Sequence, residues 1–414
     1  MTDQTNNKKD SREVDHNIDV TNNGRHNMGK SYTFNLVCPN YVKLLLIPDE
    51  DLLNLVENLI ETIFNEVIYT KAIEKMNTTK MCTVTNLLEA EQKFYQSKMT
   101  ENPVFLYNIS DEEVNDIFNK TSGERIDFHL FHEARRIIQI VKDNFKTYEN
   151  YEKNIFDKNK LVTMDEFRKY ILKYLKDNGI NDKIQIEVKK NLISAAKIFK
   201  KKNQYFLHLQ DQKNVKEKMM YSLCNHEIGT HLLRMINHDK NNLDMYNFHS
   251  CYATEEGLAV INSMYSFKKN HLFLVYPALK YLTVCLGNFY TFSKLYFFLN
   301  TFVKNAETCF KMCARVKRGL KDTGMHGSVY HDQLYFIGSY SILKWYKNID
   351  FHLLYSGNIG LRCLNKISRC VDVKNNILPF FLSDEEKLNT YLNFLSEVSY
   401  LNGIIPTNCS FIEK

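Results

Sequence analysis

Residues 219–237 read MMYSLCNHEIGTHLLRMIN, and their centre, NHEIGTHL at 225–232, sets His226 beside Glu227 and places His231 five residues after the first histidine. Imidazole nitrogen is a good zinc ligand. A glutamate next to the first ligand can take a proton from metal-bound water, and a catalytic zinc site keeps one coordination position open. The pattern is HExxxH, one residue longer than HExxH. On a regular helix, positions i and i+4 are about 40° apart around the axis, whereas i and i+5 are about 140° apart, so the two imidazoles would splay. Both reach one metal only if the helix carries an extra residue as a bulge, and π-bulges recur at functional sites. Gly229 and Thr230, one flexible and one β-branched, occupy the place where that distortion is required. With 13 His and 48 carboxylates in the chain, only about 0.05 matches to His-acid-x-x-x-His arise by composition.

A third ligand is expected further along. Thr254-Glu255-Glu256-Gly257-Leu258-Ala259 offers carboxylates at the start of an apolar helical run, and two His with one Glu form a known catalytic zinc set. Adjacent helical residues point in different directions, so only one of Glu255 and Glu256 should bind metal while the other serves a supporting role. The competing reading of an acidic pair at a helix start is a favourable dipole interaction.

Around this centre the sequence predicts an α+β fold, mostly helical with a small β-sheet. Apolar spacing predicts helices over 48–69, 111–118, 129–145 and 163–177, a helix starting near Asn214 that runs through the HExxxH stretch, and several more from Glu255 to about Val316. Ile184, Ile186 and Val188 alternate with Gln185 and Glu187, the period of a half-buried strand after the helix stop at Gly179, and a second strand is expected at 204–209. Lys200 to Lys202, just before it, read as a solvated turn or as an electrostatic contact for an acidic partner. Residues 1–30 hold almost no large apolar side chain and read as a disordered polar tail. No composition break follows, which predicts a single catalytic domain over 31–405 after a short extended piece at 32–46.

Composition narrows the function classes. The 414 residues carry a net charge of +6, too mild for a protein that wraps nucleic acid but compatible with an acidic peptide. Ten scattered cysteines with no CxxC pair predict free thiols in a reducing compartment, with Cys309 and Cys313 in the core. The N-terminal sequence lacks the apolar stretch of a signal peptide, so a cytoplasmic location is expected. In the apolar segment 271–303, Lys280 and Lys294 leave too short a run for a spanning helix and Pro277 interrupts the upstream part, so no membrane contact is expected and the aromatic residues 289–302 read as packing. His238 and His249 read as surface or supporting residues.

Three blocks taken together resemble a known family. HEIGTH followed by LLRMIN, then TEEGLA, then CARVKRGLKDT at 313–323 with HDQLYFIGSYSIL at 331–343, is similar to the metallopeptidases known for a QEGLA motif, which include the microtubule-associated tyrosine carboxypeptidases of animals and bacterial members. The resemblance covers roughly 100–360 and is strongest at 160–350. It implies His226, His231 and Glu256 as ligands of one Zn2+ per chain and Glu227 as the catalytic base. Gln stands in the family motif where this chain has Glu255, which implies an added negative charge near the metal. A carboxypeptidase also needs a cation for the substrate carboxylate, for which Lys317 and Arg318 are candidates, with Tyr335 as an oxyanion or substrate hydrogen-bond donor. The competing reading of Arg315, Lys317 and Arg318 is a basic helix end before Gly319. Animal members have Ser-x-Pro-Gly after Asp-Thr, whereas Asp322-Thr323 here precede Gly324-Met325-His326-Gly327, and His326 adds a possible donor.

The function so implied is a zinc metallo-carboxypeptidase that removes the C-terminal tyrosine of α-tubulin, with the tubulin tail or microtubules as partner and cytoskeletal association. The alternatives are a metallopeptidase of other peptide specificity, or a non-catalytic protein-binding module with a structural zinc site.

Overall fold

Three elements converge on residues 226–231: a bulged helix, the edge of a small sheet, and a tightly packed helix pair. The computed structural model describes residues 82–156, 160–180, 183–190, 194–212, 214–246, 252–267 and 272–407. The expected tail at 1–30, the extended piece at 32–46 and the helix at 48–69 lie outside the described residues.

Before the sheet run α1 (Leu87–Gln96), α2 (Asp111–Thr121), α3 (Phe131–Phe145), α4 (Tyr148–Phe156), the short strand β1 (Leu161–Thr163) and α5 (Met164–Asp177). Their starts follow capping chemistry. Ser110 accepts from the Glu113 N–H ahead of three acidic residues, and Thr163 with Glu166 completes a capping box. Strands β2 (Ile184–Lys189), β3 (Ala196–Lys201) and β4 (Gln204–Gln210) form a three-stranded sheet with β4 at its centre, parallel to β2 and antiparallel to β3. Along β4, Tyr205, Leu207 and Leu209 are buried while the residues between them are half-exposed. Phe167 and Ile171 of α5 join Leu207 and Leu209 around a small apolar space that reaches Glu227.

β3 is a correction to the sequence reading. Lys200 and Lys201 end that strand, and only Lys202 with Asn203 makes the turn, both at positive φ (48° and 61°) as a two-residue hairpin demands. Charged residues on an edge strand oppose edge-to-edge aggregation and conceal the strand pattern in the sequence. A second correction follows at Asn214–Lys216, which form β5, paired antiparallel to β1, so that α6 (Glu217–His226) begins at Glu217 and not near Asn214.

After the bulge come α7 (Leu233–Lys240), α8 (Tyr252–Met264), α9 (Val275–Gly287), α10 (Phe292–Phe302), α11 (Ala306–Lys317), α12 (Leu334–Trp345), the short α13 (Phe351–Leu354) and α14 (Leu364–Ile367), and α15 (Glu385–Leu401). Pro277 does not interrupt α9. It stands in the first turn, where its missing N–H has no helical partner to lose. No helix among the described residues is long and apolar enough to cross a membrane. The 289–302 aromatics pack as expected, with Phe292 and Tyr296 each edge-on to Phe94 at 5.1 and 5.0 Å. The seven described cysteines are free thiols, Cys309 and Cys313 among the buried ones.

Helices α8 and α12 approach most closely where Gly257 faces Gly338. A Cβ on Gly257 would lie 2.1 Å from the Gly338 carbonyl carbon, and one on Gly338 would lie 1.6 Å from the Ala253 oxygen. Only two glycines permit this contact, which brings Glu256 on α8 toward Tyr335 on α12.

Candidate metal and substrate site

The bulge that the HExxxH spacing demands is present: Glu227–Leu232 form a π-helical segment between α6 and α7. It turns the two imidazoles toward each other, with ring centroids 5.0 Å apart. Glu256, one residue past the first turn of α8, completes the group. Its Oε2 lies 3.8 Å from Nε2 of both His226 and His231, and one ligand atom from each residue lies within 4.8 Å of the others. Ligand atoms around a tetrahedral zinc are about 3.4 Å apart, so this cradle is close to the size the ion needs. Glu256 Oε2 is buried without a hydrogen-bond partner. A buried carboxylate oxygen left unmet is costly unless a cation answers it, and so the donor set fits a zinc ion.

Supporting contacts fix the candidate ligands. The His226 ring hydrogen-bonds the Ala259 backbone on α8. His231 Nδ1 lies 2.8 Å from Glu255 Oε1, which leaves Nε2 for the cradle, and the other Glu255 oxygen is ion-paired with Arg234 Nη1. Arg234 is fully buried and donates further to the carbonyls of Leu354 and Ile359 at 3.2 and 2.8 Å. The Glu255 charge is therefore neutralised inside the protein and is not the surplus negative charge expected at the metal. Burial acts to raise the Glu255 carboxyl, but the Arg234 guanidinium and the His231 hydrogen bond hold it below its ordinary value. Arg234 escaped the sequence reading. Its signal was a lone arginine in an apolar helical stretch, three residues past His231 and hence on the same side of the helix.

Glu227 is 9% exposed and its carboxylate accepts from the Ile198 N–H of β3. Burial, partly offset by His231, pushes it up to about 7. A carboxyl so placed can both take and return a proton near neutral pH.

Beside the cradle, α9 and the end of α11 contribute a cluster of cations that faces Tyr335 of α12. Arg315 grips Asp332 through two hydrogen bonds of 2.6 Å. Arg318 approaches the same carboxylate only to 4.0 Å, and its buried Nε has no partner. Lys280 sits 3.6 Å above the Tyr335 ring and 5.1 Å from that of Tyr276. Burial lowers the Lys280 ammonium to about 8, against the charges of Asp332 and Glu256. Tyr335 is raised well above its ordinary value by burial and then by Glu256, and Glu227 also acts on it, which puts the ring at the border of the cradle. Among the described residues, Asp332 is the carboxylate ion-paired with this cluster, so it cannot satisfy all three cations. Lys280 was not expected from sequence, because the residues it joins come from different helices.

Lys317 does not belong to this group. Its fully buried Nζ is surrounded by the carbonyls of Gly287, Tyr290, Met325 and Gly327 at 2.6 to 3.0 Å, so its three protons are already used. That geometry argues against its expected role at a substrate carboxylate, and makes it a tie between the end of α11 and the loop before α12. His326 lies in that loop, within the electrostatic reach of Lys317 and Lys294. Lys200 is ion-paired to Asp239 at 2.8 Å, and His238 Nε2 lies 3.0 Å from Asp244 Oδ1. His249 lies outside the described residues.

The family described as microtubule-associated tyrosine carboxypeptidase matches residues 74–400. Microtubule-associated tyrosine carboxypeptidase 1 of Rattus norvegicus is 27% identical over 326 residues, 77% of this chain and 68% of the relative. The Homo sapiens protein of the same name is 28% identical over 326 residues, covering 77% and 67%. With the match extending over most of its length, the chain belongs to the microtubule-associated tyrosine carboxypeptidase family.

Proposed function

We propose that this protein is a zinc-dependent metallo-carboxypeptidase that removes the C-terminal tyrosine of α-tubulin. The observation that carries the reading is a single juxtaposition: a three-ligand cradle with an unmet Glu256 oxygen, the base Glu227 beside it, and two under-satisfied cations, Arg318 and Lys280, at its border. Membership of a family whose relatives are named for tyrosine and microtubules supports the choice of substrate.

His226, His231 and Glu256 would hold the ion, which when bound supplies a Lewis acid for the scissile carbonyl and lowers the pKa of a water. Glu227 takes the proton from the attacking water and later gives it to the leaving amine. The Tyr335 hydroxyl donates to the oxygen of the carbonyl under attack as charge develops there. Arg318, whose Nε has no partner, and Lys280 take the free C-terminal carboxylate. This fixes which peptide bond meets Glu227 and excludes chains that continue past the site.

Incubating the zinc-loaded protein with tubulin or an α-tubulin tail peptide should remove a mass of one tyrosine, read by mass spectrometry. Glu227→Gln should keep one zinc and lose this activity. Release of a different terminal residue from other peptides, with no change to the tubulin tail, would retain the carboxypeptidase and remove tubulin as its substrate. No cleavage by metal-loaded protein would sink the enzymatic reading.

A further inference from the structure

The bulge is held by a hydrogen-bond network whose side chains Thr230, Asn262, Tyr355 and Tyr391 are fully buried and take no part in the chemistry above. The Leu233 N–H bonds the Ile228 carbonyl, five residues back, so the Gly229 carbonyl has lost the donor that a regular helix would give it. The Tyr355 hydroxyl replaces that donor at 2.6 Å. On the preceding turn, the Thr230 hydroxyl donates to the Asn225 carbonyl at 2.8 Å. Both hydroxyls accept from one side chain: the Asn262 amide donates to Thr230 Oγ1 at 2.7 Å and to Tyr355 Oη at 2.8 Å, while its oxygen accepts from Tyr391 at 2.6 Å. Every proton has one direction, from Tyr391 through Asn262 to two carbonyls of the bulged helix.

Asn262 is on α8, the helix that carries Glu256, and the same helix offers its backbone to His226 through Ala259 and to the Asn225 amide through the Asn262 carbonyl at 3.2 Å. The network therefore ties the bulge to the element that brings the third ligand. Thr230, Asn262, Tyr355 and Tyr391 are each 0% exposed. In such surroundings, a bulge carbonyl left without its donor costs about 1–3 kcal/mol, enough to shift the extra residue along the helix.

We propose that Asn262, with Thr230, Tyr355 and Tyr391, is a latch that fixes the extra residue between the two histidines and so sets their separation for the metal. These are positioning residues, because none touches the ion or the substrate. The proposal rests on the reading of His226, His231 and Glu256 as a zinc site. Loss of the latch lets the bulge migrate, turns one imidazole out of the cradle and weakens zinc binding, although all three ligands remain.

The test uses the full chain and three variants: Thr230→Val, which keeps the shape and removes the hydroxyl, Thr230→Ser, which keeps the hydroxyl, and Tyr355→Phe, which removes one oxygen from an intact ring. Zinc affinity is measured by competition with a chelator, cobalt-substituted protein is examined by its visible absorption, and folding of the metal-free protein by circular dichroism. Zinc binding is expected to weaken about 10- to 100-fold in Thr230→Val and Tyr355→Phe, with an altered cobalt spectrum and unchanged helix content, and to stay near that of the unmodified protein in Thr230→Ser. Should Thr230→Val fail to fold, Tyr355→Phe decides. Unmodified affinity and cobalt spectrum in Tyr355→Phe overturn the latch, as does a loss in Thr230→Ser equal to that in Thr230→Val. Absence of zinc binding in the unmodified protein is a separate result that removes the metal reading and the latch with it.

Discussion

Lys317 and Arg318 are neighbours in the chain, carry the same charge and are both largely withdrawn from solvent, yet their surroundings are opposite. Lys317 spends all its protons on backbone carbonyls, whereas Arg318 keeps a buried Nε with none of its own. Glu255 and Glu256 repeat the contrast with the opposite sign. Glu255 is closed off by His231 and Arg234, and Glu256 presents an unanswered oxygen to two imidazoles. The residue that holds the protein together is the satisfied one, and the residue left wanting a partner is the one that can receive something from outside.

Substitutions can break each pair apart. Glu256→Ala should abolish stoichiometric zinc by elemental analysis, while Glu255→Ala, which keeps all three ligands but removes the support of His231 and the partner of Arg234, should weaken zinc about 10- to 100-fold. Equal losses would erase the distinction between them. Arg318→Ala should lower kcat/KM on peptides with a free C-terminus about 100-fold, or roughly 3 kcal/mol, because Arg315 still holds Asp332 and the fold is spared. An unchanged kcat/KM would move the carboxylate contact to Lys280. Lys317→Met should do the reverse: about 3 kcal/mol less stable to denaturant, through carbonyls left unmet, with kcat/KM of the folded fraction unchanged. The smallest effect is expected at the half-exposed Lys200–Asp239 pair, where Lys200→Ala should cost about 0.5 kcal/mol and less still at high salt.

The same contrast explains what could be read in advance. HEIGTH was legible because residue spacing on a helix is an angle, and an i+5 pair of ligands has to be repaired by a bulge. The starts of α2 and α5 were legible because Ser110 and Thr163 cap through local contacts. Arg318 and Lys317 could not be separated, since their fates depend on Asp332 and on four carbonyls gathered from the end of α9, the turn after it and the loop before α12. Lys280 was invisible as a site residue for the same reason: α9 meets Tyr335 of α12 only in the folded chain. β3 was missed because its terminal lysines resemble a turn, and the effect of Glu255 stayed open because nothing in TEEGLA points to Arg234.

The contact between Gly257 and Gly338 has a consequence for tracing descent. Gly257 stands inside the EEGLA block and Gly338 lies far from it in the chain, yet neither can gain a single carbon while the other helix stays where it is. The two positions should behave in evolution as one inherited character. A divergent sequence that keeps HExxxH and the glutamate but carries a bulky residue at either glycine would have to move Glu256 and Tyr335 apart, and should be expected to have abandoned the reaction while still carrying its signature.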